Sequence, residues 1–359
     1  MTSNTTLQKV IQLLKVLITT QSYSKQEENA AQVIRDFFQQ EGVKLHTRIN
    51  NTWAFNQHYD ANKPTLLLNS HIDTVKASTH WTKDPFQPTI EDGKLYGLGS
   101  NDAGGALVTL IGAFLHFYHQ EDLAFNLCIA ATAEEEISGK NGIASISDIT
   151  EQCEAAIVGE PTEMLMATAE RGLMVIDATV EGISGHAARD TGVNAIYKAI
   201  ADIHWFTTHQ LKKQCPVLGP TKMTVTVIEA GNQHNVVPDI CKYVIDVRTT
   251  AAYDYDELID FMSQHVHATL QPRSTRLKPS IIDDQHPLVL AAHKLSIETF
   301  GSATLSDQAL LKIPSVKMGP GKSERSHTAD EFIFIKEIEQ AYFTYIQLIE
   351  SIPCLKTKK

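Results

Sequence analysis

Cysteine is scarce in this 359-residue chain: Cys128, Cys153, Cys215, Cys241 and Cys354 are widely scattered and form no C-x-x-C pair. An odd, dispersed set argues against a disulfide framework and against a thiolate zinc site, and fits a reducing cytosol, so a cytoplasmic location is expected. Basic residues are short as well, 31 Lys and Arg against 42 Asp and Glu, for a net charge of −11. Nucleic acids and anionic membranes both recruit basic patches, so neither is an expected partner. The largest basic cluster is the terminal Lys356-Thr357-Lys358-Lys359. No stretch approaches the roughly 18 apolar residues of a membrane span. The N-terminal apolar positions Leu7, Val10, Ile11, Leu14 and Ile18 are broken by Lys9, Gln12 and Lys15, the pattern of an amphipathic helix rather than a signal segment.

What is present is ordinary globular composition, 43% hydrophobic and 20% charged, which excludes disorder as the main state. At this length one core usually stops growing, and two domains are expected. Residues 7–20 and 27–41 show helical periodicity, followed by a buried-strand run at 65–69, a helix from Gly104 to His119, and further apolar strands at 127–132 and 155–158. Short apolar strands separated by helices imply an α/β unit with a mostly parallel central sheet. Near Gly172 the texture changes. Strand-like 173–180, a helix over 193–207, strands at 223–228 and 241–248, a helix over 255–270 and a weak strand at 273–282 give the split βαβ order of a ferredoxin-like α+β domain. From about Pro287 the α/β texture resumes and ends in a helix over 335–352. The expected organisation is therefore a discontinuous domain, 1–172 and 280–359, with 173–279 inserted in it.

The candidate site residues follow the predicted strands, where open α/β sheets place their ligands. His71 and Asp73 end one strand; Asp102 lies in the glycine-rich turn Gly97-Leu-Gly-Ser-Asn-Asp-Ala-Gly-Gly105; Glu134, Glu135 and Glu136 follow a second strand; Glu160 follows a third; His327 lies in a loop that opens with Gly319-Pro-Gly. Singly, each has a plain reading: a lone His in a satisfied core, a Glu run on a solvated face, Asp102 as a helix cap. Together they mean more. Carboxylates crowded at the mouth of a buried strand repel one another unless cations neutralise them. Imidazole mixed with carboxylate suits Zn2+ or Co2+ better than Mg2+.

In this order the motifs resemble the zinc-dependent deacylases and peptidases that include acetylornithine deacetylase and succinyl-diaminopimelate desuccinylase, acetylornithine deacetylases most closely. The resemblance runs over nearly the whole chain and implies a metallopeptidase-type catalytic domain with an inserted dimerisation domain. It implies two divalent metal ions, one held by His71 and Glu160 and the other by Glu136 and His327, with Asp102 bridging them. It makes Glu135 the general base acting on a metal-bridging water, Asp73 the carboxylate that orients His71, and the Asp102–Ala103 bond cis. In the insert, Gly182-Ile-Ser-Gly-His186-Ala-Ala resembles the segment whose histidine reaches the partner subunit's site, so a homodimer with His186 acting in trans is implied. Asn235, in Gly231-Asn-Gln-His-Asn-Val-Val-Pro238, and Arg248 then resemble substrate ligands, as does Arg171; His234 is not required by the pattern. One departure is that Ala103-Gly104 and Leu98 stand where relatives often carry Lys and Arg. Gly192-Val-Asn-Ala-Ile196 favours an N-acyl amino acid of arginine biosynthesis as the small-molecule substrate, N-acetylornithine or an N-acetylcitrulline or N-succinyl variant. The alternatives are a dipeptidase or carboxypeptidase on the same site, and a metal-stabilised dimeric binding protein without turnover.

Overall fold

The computed structural model describes residues 3–189 and 191–355, so the terminal Lys356-Thr357-Lys358-Lys359 cluster lies outside the described residues. Two compact units are found. The first comprises the chain up to Thr168, Ile281–Gly301 and the chain from Ser306; the second comprises Ala169–Ser280 and Ser302–Leu305.

The first unit is built on a sheet whose centre is parallel. Asn126–Thr132, Thr65–His71, Ala155–Val158 and Ser315–Lys317 lie side by side in that order, all three pairings parallel. Asn51–Phe55 joins antiparallel beside Asn126–Thr132, and Leu45–Arg48 pairs antiparallel beyond it. Helices cover both faces of a parallel sheet, and its strands then read as unbroken apolar runs. Leu66, Leu67 and Leu68 are accordingly all fully buried. Helix Gly105–Phe117 (GALVTLIGAFLHF) is apolar almost all round because helices Ser3–Thr19 and Ile335–Ser351 flank it and bury eleven of its residues. All five cysteines are free thiols.

The second unit has the split βαβ order. Strands Gly172–Glu181, Lys222–Ala230, Ile240–Thr249 and Thr269–Pro272 form one antiparallel sheet in the spatial order fourth, first, third, second. Helices Ala195–Thr208 and Tyr255–Ser263 supply the second layer. Period-2 patterning produces this arrangement: Met174, Ile176, Ala178 and Val180 on one strand, and Cys241, Tyr243, Ile245 and Val247 on its neighbour, share the buried face. Two expectations are corrected. The helix expected over 255–270 stops at Ser263, and the strand expected over 273–282 is represented by Thr269–Pro272 and the two-residue Ser280–Ile281. The cause is Asp202, from the first helix. Its buried carboxylate accepts hydrogen bonds from the backbone N–H of His267 (2.8 Å) and Ala268 (3.0 Å) and from the Tyr243 hydroxyl (3.1 Å), so these amides are drawn away from helical pairing.

Asp202→Ala leaves those three donors buried without an acceptor, at about 1–3 kcal/mol each. Urea unfolding of the second unit is expected to lose roughly 3 kcal/mol; a loss below about 1 kcal/mol would show that the carboxylate does not hold this layer together.

Candidate metal centre

Four of the ligand-bearing segments leave the carboxyl ends of the four parallel strands. His71 closes Thr65–His71, Glu134–Glu136 follows Asn126–Thr132, Glu160 follows Ala155–Val158, and the Gly319–His327 loop follows Ser315–Lys317. Parallel strands end on the same edge of the sheet, so residues 256 positions apart meet there. Asp102 arrives separately, from the turn that precedes helix Gly105–Phe117.

Asp102 is the centre of the cluster. One of its oxygens, Oδ1, faces His71 Nε2 at 3.4 Å, and the other, Oδ2, faces His327 Nε2 at 3.5 Å. His71 Nε2 also has Glu135 Oε2 and Glu160 Oε1 at 3.9 Å, and His327 Nε2 lies 2.9 Å from Glu136 Oε2. The Asp102–Ala103 peptide bond is cis. His327 takes a left-handed φ of +60°, uncommon outside glycine and concentrated at functional sites.

Among the described residues, two groupings of ligand atoms are compact enough for a cation, His71–Asp102–Glu136 and His71–Glu135–Glu160. Atoms bound tetrahedrally at about 2.1 Å stand about 3.4 Å apart, close to the spacing around Asp102. The donor set fits for a second reason. His71 Nδ1 lies 2.8 Å from the carbonyl of Asp73 and so is the protonated nitrogen, leaving Nε2 buried with no hydrogen-bond partner. A buried nitrogen aimed at three carboxylates calls for positive charge between them, a cation or a proton on the ring.

Electrostatics agree. Burial opposes a charge on His71, yet Asp102, Asp73, Glu135 and Glu160 together hold its pKa well above the ordinary imidazole value. Burial and the Glu160 charge push Glu135 well up, and burial and the Asp102 charge do the same to Glu160. Asp102 itself is held below its usual value, because the hydrogen bond and charge of His71 outweigh its burial. The hydrogen bond that His327 donates to the Glu136 carboxylate raises the His327 pKa to about 9. Negative charge is in excess throughout the site.

Asp73 plays a part the sequence did not suggest. Its backbone carbonyl orients His71, whereas its carboxylate, 3.6 Å from the ring, accepts from the backbone N–H of Glu135 (3.0 Å) and Glu136 (3.2 Å) and from the Ser24 hydroxyl (2.7 Å). The plain reading of Glu134–Glu136 as a solvated face does not hold. Glu134, buried at φ +54°, turns inward and accepts from Asn141 N and Nδ2, closing the loop that presents the other two. Three neighbours were missed. Glu331 caps the Asp102 turn; Asp307, pushed by burial to about 7, accepts from Thr132 Oγ1; buried Lys317 offsets part of the Glu160 charge. Glu331 belongs to the His327 segment and nothing in its spacing set it apart. Asp307 and Lys317 reach the site only through strand order.

In the second unit, His186 pairs with Val236 across a two-residue bridge, and the Asn235 carbonyl accepts from Ala187 N at 3.0 Å, so His186 and Asn235 are neighbours and exposed. Arg248 is half-exposed, and its Nε and Nη2 donate to the two oxygens of Asp246. Arg171 is buried, and its guanidinium donates to the carbonyls of Leu218 and Pro220. Those donors are engaged within the unit, so the expectation that Arg171 faces substrate has no support in its contacts.

A parallel sheet whose carboxyl edge gathers two imidazoles and four carboxylates makes a candidate cation centre. The sequence profile of peptidase family M20/M25/M40 matches residues 67–351, and the chain belongs to that family of hydrolases. It is 30% identical over 317 residues to an acetylornithine deacetylase of Proteus mirabilis, spanning 82% of this chain and 80% of that one. It is 26% identical over 275 residues to a succinyl-diaminopimelate desuccinylase of a Ruegeria species, spanning 72% and 69%. Among solved structures it resembles aminopeptidase PepT of Bacillus cereus (TM-score 0.77, 18% identity, 96% and 98% covered). It also resembles a dinuclear metal binding peptidase of the M20 family from Bacillus subtilis (TM-score 0.73, 17% identity, 99% and 100% covered).

Chelator-treated protein is expected to gain thermal stability when Co2+ is restored, by about 2.7 kcal/mol at a hundredfold excess over Kd. An unfolding midpoint that does not move with Co2+ concentration would show that the cluster holds no ion.

Proposed function

We propose that this protein hydrolyses the amide bond of an N-acyl amino acid, N-acetylornithine or an N-acetylcitrulline or N-succinylornithine variant, as in arginine biosynthesis. His71, Asp102, Glu136, Glu160 and His327 would hold two divalent cations, Zn2+ in the first place and Co2+ as the alternative. When bound, such ions lower the pKa of water and polarise the scissile carbonyl. Glu135 carries the reading: it is a carboxylate beside His71, its backbone fixed by Asp73, and the family resemblance, which allots the ligand roles to the other five residues, leaves it free to act as base. A purely structural or storage site needs no spare base. Glu135 takes the proton of the attacking water and returns it to the leaving amine, and burial, which raises its pKa above the usual carboxylate value, makes it the stronger base. Relatives named as deacylases, at 26–30% identity, favour an acylated substrate over an unblocked peptide.

The second unit supplies substrate contacts. His186, acting from the partner subunit, would donate to the oxyanion, and Asn235 and Arg248 would take the substrate carboxylate, the guanidinium exchanging Asp246 for it. A homodimer is supported by strand Lys222–Ala230, which has one neighbour only among the described residues and leaves its other edge open. Val227 and Ile228 on that strand and Tyr197 and Ile200 on the adjoining helix are exposed apolar side chains, the kind of patch that seeks a partner.

Metal-reconstituted protein is expected to release amine from N-acetylornithine, N-acetylcitrulline or N-succinylornithine, and Glu135→Gln to lower kcat by at least about 100-fold with the ions still bound. Cleavage of an unblocked dipeptide alone would move the enzyme to the peptidases, and silence across the panel, or a fully active Glu135→Gln, would overturn the reading. Light scattering should find a dimer that Ile228→Glu converts to monomer; an unchanged mass would exclude this edge as the interface.

A further inference from the structure

Glu331 is a carboxylate to which the proposed reaction gives no part, yet it is only 2% exposed and its partners are backbone amides of a single turn. Its Oε1 accepts from Asn101 N at 2.8 Å and Asp102 N at 2.9 Å, its Oε2 accepts from Gly99 N at 3.0 Å, and its own carbonyl accepts from Gly97 N at 3.0 Å. Four amides of the turn that delivers Asp102 therefore converge on one residue. The turn has few other ways to satisfy them. Gly99 holds φ +75°, a Cβ there would come within 2.6 Å of Thr74 Cγ2, and the helix that follows has no side-chain cap. Buried N–H groups without acceptors are costly, so a remote acceptor is required, and a carboxyl group with two oxygens can take several of them at once.

Glu331 also lies four residues after His327. One side chain thus ties the turn carrying Asp102 to the segment carrying the imidazole that faces Asp102 Oδ2 at 3.5 Å. Asp73 does the same for Glu135 and Glu136. We propose that Glu331 is the positioning residue for Asp102: by clamping the Gly97–Asp102 turn to the His327 segment, it keeps the two oxygens of Asp102 divided between His71 and His327, and so sets the affinity for the cation on the His327 side. This rests on the cation reading of the site.

The test is Co2+ titration of the full-length chain after chelation, followed by calorimetry and by the visible Co2+ absorption, in wild type, Glu331→Gln and Glu331→Asp. Gln keeps an acceptor for Asn101 and Asp102 but turns an NH2 against Gly99 N–H, and Asp keeps both oxygens but withdraws them by one methylene. Wild type is expected to bind two equivalents. Both variants are expected to keep the first at unchanged affinity, to weaken the second by about 10–100-fold and to alter the spectrum. The circular dichroism of the metal-free protein should stay as in wild type and its unfolding should stay cooperative, with a midpoint lowered only by the amides left short of an acceptor. Wild-type affinities and spectrum in either variant overturn the proposal. So do variants that lose both ions and the metal-free midpoint together, or that fail to fold, since Glu331 is then a fold residue only. Absence of Co2+ uptake by wild type itself is a different result: it overturns the cation reading, and this assignment with it.

Discussion

Carboxylates gathered round His71 without an equal number of cations of their own impose the condition that the rest of the first unit meets. Asp102, Glu135, Glu136 and Glu160 lie within a few ångströms of two imidazoles at the carboxyl edge of a parallel sheet. Desolvated like charges at this spacing push each other toward the neutral form, and Glu135 and Glu160 are both driven up for that reason. Such a cluster would come apart if its backbone were free to move. It stays together because the loops that carry it are tied down by further buried carboxylates whose acceptors point at main-chain N–H groups.

Asp73 and Glu331 are the two clearest cases, and Glu134 is a third. Each lies beside a residue of the cluster in sequence or in space, and each holds a loop rather than reaching into the site. The arrangement explains why this region carries so many acidic residues for so few chemical roles. Some face the reaction volume, and others replace the regular hydrogen bonds that irregular backbone lacks. The second unit shows the same device in a different setting, where Asp202 stops a helix by accepting two amides of the following loop. Buried acids that cap backbone are a recurring structural element of this chain.

Three of the four parallel strands of the first unit and four of its helices follow from pattern alone, whereas Leu45–Arg48, Asn51–Phe55 and Ser315–Lys317 do not. Continuous apolar strands at 65–71, 126–132 and 155–158 can be buried on two faces only, and they demand helices on both sides. Period-2 burial in Gly172–Glu181 and Ile240–Thr249 equally marks a one-faced sheet. Elements whose extent depends on a distant partner were misjudged, as the helix ending at Ser263 shows: its limit is decided by Asp202, some sixty residues upstream, and no local propensity records that.

For the site, His71, Asp102, Glu135, Glu136, Glu160 and His327 were legible because they stand directly after strands or in glycine-rich turns, positions that parallel topology makes functional, and because their order resembles a known family. The sequence by itself thus determined the fold class, the identity of the clustered acids and imidazoles, and the chemistry open to them. Only the tertiary structure decided how the neighbouring acids physically part company. Glu134 and Glu135 are chemically identical neighbours, and only the turn at φ +54° sends one into the loop and leaves the other beside His71. Asp307, Lys317 and the clamp by Glu331 likewise exist only once strand order brings them to the same edge. Residue type sets what a side chain can bind, whereas distance and burial, which are properties of the packed chain, set what it does bind.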